Sequence, residues 1–359
     1  MTKVNVGMIG CGGIAMGKHL PSLAKIQEAQ VVAFFDISRE RAEEAKNKFG
    51  THDARIYNDV YELLRDSDVQ VVHICTPNDT HAELSIAAME HGKHVLCEKP
   101  MAKTAADAQH MLETSERTGR KLSIAYQNRF RADSRWLHEA CQAGDLGEIY
   151  MAKAHAVRRR AVPTWGVFLD LEKQGGGPLI DIGTHALDLA LWMMNNYEPK
   201  HVLGTSYRKL AEQGSRANMW GSWDPAKFTV EDSAFAMITM KNGATVWLES
   251  SWALNVLDGD EAKVTLVGTK AGADMNKGVL RVNGEEHGRL YTKEVQMSGY
   301  AGWGGSTPDD AAEQEARAWI QAIIDDKAPV VTAKQGLVVQ QILEAIYESA
   351  DKGQAVSFV

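Results

Sequence analysis

The sequence is poor in the features that would tie it to an oxidising compartment, a membrane or a nucleic acid. Four cysteines occur in 359 residues, at Cys11, Cys75, Cys97 and Cys141. None forms a Cys-x-x-Cys pair, so the sequence offers neither a disulfide framework nor a cysteine zinc site. Three lie in apolar, strand-like surroundings, where a thiol acts as a small hydrophobe, as in a reducing compartment. No apolar run is long enough to cross a bilayer, since the most apolar late segment, residues 178–194, carries Asp181, His185 and Asp188. The N-terminus shows no charged n-region, apolar h-region and cleavage site, so a cytoplasmic protein is expected. Excess positive charge is missing too: 39 Lys and Arg face 47 Asp and Glu, a net charge of −8. That balance argues against nucleic acid or an anionic membrane as the main partner. There is no internal repeat, no low-complexity segment and no His-Glu-x-x-His, and no metal site is expected.

What is present is a hydrophobic content of 44 %, enough for a sizeable core, and a length suited to two domains. A β-prone run at residues 4–9 leads directly into Gly10-Cys11-Gly12-Gly13-Ile14-Ala15 and then a helical stretch through Leu23. A second strand at residues 30–35 ends in Asp36. The order strand, Gly-x-Gly-x-x-Ala, helix, strand, acid is the dinucleotide fingerprint. Glycines let the backbone approach a pyrophosphate, and the helix start offers N–H groups to it. Asp36 is placed to accept from the adenosine ribose hydroxyls and to repel a 2′-phosphate. NAD(H) is therefore expected over NADP(H), although Arg39 and Arg41 stand nearby.

Strands and helices keep alternating. Strands are expected at residues 69–75, 94–97 and 121–126, with helices at 39–49, 60–64, 81–91 and 104–118. Such spacing predicts a doubly wound parallel sheet over residues 1–125, a Rossmann domain. Over residues 126–359 the texture changes to an α+β domain with a large, mostly antiparallel open sheet. Long β-prone runs at 201–207, 233–240, 245–252, 262–267 and 279–282 follow one another without helices, and helices at 309–325 and 335–351 close the chain. One face of such a sheet needs cover, which a second copy of the chain supplies, so a homo-oligomer is expected.

Two stretches carry candidate chemistry. Glu98-Lys99-Pro100 follows the apolar run Val95-Leu96-Cys97, which puts Lys99 at a strand's C-terminal edge, where open α/β sheets bind ligands. Taken alone, such a lysine is ordinarily a surface residue closing a strand. Asp181 and His185, four apart after Gly175-Gly176-Gly177-Pro178, share one helix face. There a carboxylate can orient an imidazole for proton transfer. A helix-surface contact and a zinc pair are the competing readings, the latter without a third ligand at recognisable spacing.

The chain resembles the Gfo/Idh/MocA oxidoreductases. The likeness rests on Gly10-x-Gly12-x-x-Ala15, Thr76-Pro77-Asn78-x-x-His81, Glu98-Lys99-Pro100 and Gly175-Gly176-Gly177-Pro178-x-x-Asp181-x-x-x-His185, which span both halves in the family's order. Within that family, Arg158-Arg159, residues 162–168, Trp223-Asp224-Pro225 and Val230-Glu231-Asp232-Ser233 are similar to the D-glucoside 3-dehydrogenases. The resemblance implies NAD-dependent oxidation of a sugar's secondary hydroxyl, such as C3 of an O- or C-glucoside. Lys99 would bind the reacting hydroxyl, steadied by Glu98 and Pro100; His185 would accept its proton and Asp181 would orient substrate or histidine. Gly10, Gly12, Gly13, Ile14, Ala15, Asp36, Thr76, Asn78, His81, Glu98, Lys99 and Gln127 would hold the cofactor. Tyr126, Arg158, Arg159 and Trp165, with Asp181 and His185, would meet the sugar. An inositol or other polyol dehydrogenase, and a glycosidase working by NAD-dependent oxidation and elimination, are the alternatives.

Overall fold

Six short parallel strands, β1 (Val4–Ile9), β2 (Ala29–Phe35), β3 (Gly50–Ile56), β4 (Val71–Ile74), β5 (His94–Cys97) and β6 (Leu122–Ile124), build the first sheet. Their order is β3-β2-β1-β4-β5-β6, the doubly wound arrangement, with the reversal of direction between β1 and β4. The computed structural model describes residues 3–213, 217–276, 278–297 and 310–358. β4 is buried at every position, as a central strand covered on both faces requires. β3, at the sheet's edge, carries His52 and Asp53 exposed and has no apolar alternation to announce it.

The chain divides into two compact units, Met1–Phe130 with Asp309–Leu337, and Arg131–Pro308 with Val338–Val359. A single boundary at 125/126 misses this return of the chain to the first unit. The helix Ala311–Ile324 has its Asp310 carboxylate accepting from the Ala312 N–H as an N-cap. It sends Ala316, Trp319 and Ile320 into the same core as β1 and β2. Burial of those three apolar side chains outweighs sequence distance in assigning the segment. Asp309, the expected first residue of this helix, lies outside the described residues.

The second unit holds a nine-stranded sheet. Its strands are β7 (Ile149–Val157), β8 (Pro199–Tyr207), β9 (Ser233–Met240), β10 (Thr245–Ser251), β11 (Asp260–Gly268), β12 (Ala271–Asn276), β13 (Val279–Glu286), β14 (Arg289–Val295) and β15 (Val356–Ser357). The order is β14-β13-β12-β11-β7-β10-β9-β8-β15, with β7 and β10 parallel and the other pairings antiparallel. The helix Thr184–Met194 packs on β7, β10 and β11 and buries Leu187, Leu189, Ala190 and Leu191. On the opposite face, Leu203, Met237 and Trp247 stand in one cross-strand row, and Leu203 and Trp247 remain 45 % and 47 % exposed.

Candidate active site

The nucleotide loop is shaped by what cannot fit it. Gly10 has φ +86°, and a Cβ there would meet the Cys75 carbonyl oxygen at 2.7 Å. Gly12 and Gly13 have no such neighbour within 4 Å, so this stretch of loop presents bare backbone on an open side. The helix that follows begins with a π turn over Ala15–His19 and continues as Leu20–Leu23. Asp36, at the end of β2, accepts from the Cys11 N–H at 2.7 Å and the Ser38 N–H at 2.8 Å. Its carboxylate thus ties the loop to β2 and keeps lone pairs over for ribose hydroxyls. Ile14 is exposed and Ala15 fully buried. Loop, helix start and acid lie at the C-terminal ends of β1 and β2, next to the reversal point, and fit a dinucleotide.

After β4, Thr80 donates its hydroxyl to Thr76 Oγ1 at 2.7 Å. His81 is buried, with Nδ1 2.8 Å from the Pro100 carbonyl oxygen and Nε2 2.9 Å from that of Thr76. Both nitrogens are thus engaged with backbone, and the ring is a strut joining the loops after β4 and β5. Burial lowers its pKa while the two carbonyl oxygens pull the other way, and a neutral ring donates to only one of them at a time. Asn78 and Gln127 are partly exposed beside these loops, whereas Tyr126, expected among the sugar contacts, is buried in the first unit.

Glu98 is the centre of a buried ionic cluster. Lys18 Nζ lies 3.0 Å from Glu98 Oε1 and 2.9 Å from Glu315 Oε2, while His19 Nε2 is 2.8 Å from Glu98 Oε1. His19 Nδ1 and His73 Nδ1 are 3.1 Å apart, sharing a hydrogen carried by one of them. The other Glu98 oxygen accepts the Lys99 N–H at 3.0 Å. Burial alone would push Glu98 up, but the Lys18 ammonium and His19 hold it well below the usual carboxylate range. Glu315 goes up, because burial outweighs its share of Lys18, and burial drives His73 far down, to the neutral form. Lys99 stands half-buried on the residue between Glu98 and Pro100, and its own backbone is fixed by the Glu98 carboxylate.

In the second unit, Asp181 lies within a π turn, Leu179–Gly183, and His185 is the second residue of the helix Thr184–Met194. Asp181 is buried and its Oδ2 accepts from the Trp252 indole N–H at 3.0 Å; His185 is half-buried. Arg158 is largely spoken for. Its Nε and Nη2 reach both Glu261 oxygens at 2.6 and 2.7 Å, and its guanidinium lies over the Trp220 ring at 5.2 Å. Arg159 is exposed. Trp165, 51 % exposed, meets Trp220 edge-to-face at 4.9 Å and Phe168 at 5.8 Å, and Phe168 in turn reaches Trp252 at 6.3 Å. An aromatic series therefore runs from the indole that holds Asp181 out to exposed tryptophans.

Sequence reasoning missed Lys18, His19, Glu315 and Trp252. The one available signal was the pair Lys18-His19 on a helix otherwise poised to pack on a sheet. Its partners lie 54 or more residues away in the chain.

Loop, acid and sheet order together define a dinucleotide-binding Rossmann domain. A family model described as an oxidoreductase family with an NAD-binding Rossmann fold matches residues 4–126, and its C-terminal alpha/beta counterpart matches residues 138–358. The chain belongs to the Gfo/Idh/MocA family of oxidoreductases. It is 35 % identical to a D-glucoside 3-dehydrogenase of Escherichia coli over 356 residues, covering 99 % of this chain and 97 % of that one. It is 28 % identical to a myo-inositol 2-dehydrogenase of Thermotoga maritima, over 74 % of this chain and 73 % of the relative. Among solved structures, a levoglucosan dehydrogenase in complex with NADH and levoglucosan shares the fold with a TM-score of 0.85. That likeness covers 99 % of both chains at 24 % identity.

Proposed function

We propose that the protein oxidises a secondary hydroxyl of a glucoside, at C3, to the 3-keto sugar. The observation that carries this reading is the likeness to the E. coli D-glucoside 3-dehydrogenase along nearly the full length of both chains. The chemistry of the residues supports it. An alcohol is a very weak acid, so its oxidation needs a base for the proton and a cation for the charge growing on oxygen. His185 is the base and Lys99 the cation. Asp181, its Oδ2 fixed by the Trp252 indole, orients the hydroxyl or the imidazole. When bound, the nicotinamide cofactor supplies the hydride acceptor. Trp165 and Trp220 offer flat apolar faces to a pyranose or to the group attached to it. The row Leu203, Met237 and Trp247 is proposed as the face on which a second copy of the chain packs.

A polyol dehydrogenase is the second reading, favoured by the likeness to the myo-inositol 2-dehydrogenase. The deciding experiment follows NADH absorbance with methyl β-D-glucopyranoside, salicin, free glucose and myo-inositol, with mass spectrometry of the products. The proposal expects NADH and a 3-keto glucoside. Turnover of myo-inositol with none of either glucoside would replace it with the second reading. Free sugar without net NADH would indicate oxidation and elimination instead.

A further inference from the structure

The Gly-Gly-Gly-Pro turn has a structural cause that the proposed chemistry does not use. Gly175, at φ +79°, closes the helix Leu171–Gln174 in the left-handed region. A Cβ on Gly176 would overlap the Tyr347 hydroxyl, and one on Gly177 would overlap the Glu231 backbone. The last two glycines therefore admit Glu231 and Tyr347 against the backbone that leads to Asp181. Glu231 Oε2 accepts the Gly177 N–H at 2.8 Å. Oε1 accepts the Leu179 N–H at 3.1 Å and the Tyr347 hydroxyl at 2.9 Å. From the other side, Ser250 donates its hydroxyl to the Pro178 carbonyl at 2.7 Å.

We propose that Glu231 and Tyr347 are positioning residues: as a clamp on residues 177–179, they set where Asp181 and His185 stand for proton transfer. Held by Glu231 and Tyr347 on one side and by Ser250 on the other, the segment keeps a π turn over Leu179–Gly183. A π turn persists where surrounding contacts over-determine it, often at functional sites. Glu231 is buried among two backbone N–H groups and one phenol, none of them a cation. Tyr347 is the titratable side chain that faces it. Burial raises Glu231 to about 6, so the acceptor on which three donors converge is complete only above that pH. Protonation turns one acceptor site into a donor among donors and releases part of the clamp.

This inference rests on the reading of Asp181 and His185 as the proton-handling pair. The test compares Glu231→Gln, Tyr347→Phe and His185→Ala with wild type, using NAD⁺ and methyl β-D-glucopyranoside from pH 5 to 8. It reads kcat per folded molecule, KM, thermal midpoint and NADH affinity by fluorescence. Glu231→Gln is expected to lower kcat about 10-fold or more and to make the acid limb of the profile shallower, because Glu231 no longer titrates within it. Tyr347→Phe lowers kcat about 3-fold, and NADH affinity stays at wild type in both. Wild-type kcat and an unchanged pH profile in both variants, with His185→Ala inactive, would overturn the clamp alone. A fully active His185→Ala would overturn the underlying reading instead. If Glu231→Gln does not fold, Tyr347→Phe decides.

Discussion

Glu98 and Glu231 are two carboxylates buried beside proposed catalytic segments, and their surroundings move them in opposite directions. Glu98 has the Lys18 ammonium at 3.0 Å; Glu231 has hydrogen bonds but no cation. The sign of each contribution to stability follows. Glu98, depressed on folding, stabilises above the unfolded carboxylate pKa and loses that contribution as pH falls through its folded value. Glu231, raised from 4.5 to about 6, stabilises fully below 4.5 and loses the contribution as pH rises through about 6. That displacement is worth about 2 kcal/mol. Glu231→Gln should therefore flatten the fall in unfolding free energy between pH 4.5 and 7, as urea titrations at each pH would read. An unchanged slope would mean that Glu231 is not the titrating group. Lys18→Met leaves Glu98 buried without its cation and should cost about 3 kcal/mol of stability at pH 7. A loss under about 0.5 kcal/mol would show that His19 alone supports the charge.

At the scale of elements, the parallel sheet was legible because buried strands and capped helices repeat their patterns. β1, β2, β4 and β5 are apolar runs ending in a loop, an acid or a proline, and the helix Arg39–Phe49 has its expected bounds. β3, β12 and β14 were not legible. β3 and β14 are edge strands, so polar residues replace alternation; β12 does alternate, burying Ala271, Ala273 and Met275, but its small residues and Gly272 carry little β signal. The dinucleotide loop and the Glu98-Lys99-Pro100 turn were readable because their residues are adjacent in the chain. Lys18 and Glu315 were not, because each acts through a partner far away in the chain, and Glu231, legible only as part of Val230-Glu231-Asp232-Ser233, gave no sign of its bonds to Gly177, Leu179 and Tyr347. The same contrast explains the glycines. Gly10 was readable from its motif with its physical cause; Gly176 and Gly177 were readable as part of a motif, but their cause lies in the side chains they admit. Gly10→Ala forces a side chain into a left-handed φ and onto the Cys75 carbonyl, and should weaken NADH binding about 10-fold or more. Fluorescence titration of NADH checks this; an affinity within 2-fold of wild type would remove the strain argument.

At the scale of the whole molecule, the first unit holds the dinucleotide loop and Lys99, and the second holds Asp181, His185 and the aromatic series. In each unit a buried carboxylate accepts from backbone N–H groups at or just before the proposed catalytic residues: Glu98 from Lys99 in one, Glu231 from Gly177 and Leu179 in the other. The nine-stranded sheet leaves Leu203 and Trp247 half exposed in one row. Trp247→Glu should convert the proposed oligomer to monomer, as light scattering after size exclusion would show; an unchanged mass would place the contact elsewhere. Among the described residues, no helix is long and apolar enough to cross a membrane. The measurement that reaches the central claim most directly is the steady-state rate of Lys99→Ala with NAD⁺ and methyl β-D-glucopyranoside, alongside its NADH affinity. Loss of the cation that meets the developing alkoxide predicts a fall in kcat of about 10²–10³-fold or more with NADH affinity retained. Near-wild-type turnover would contradict the account.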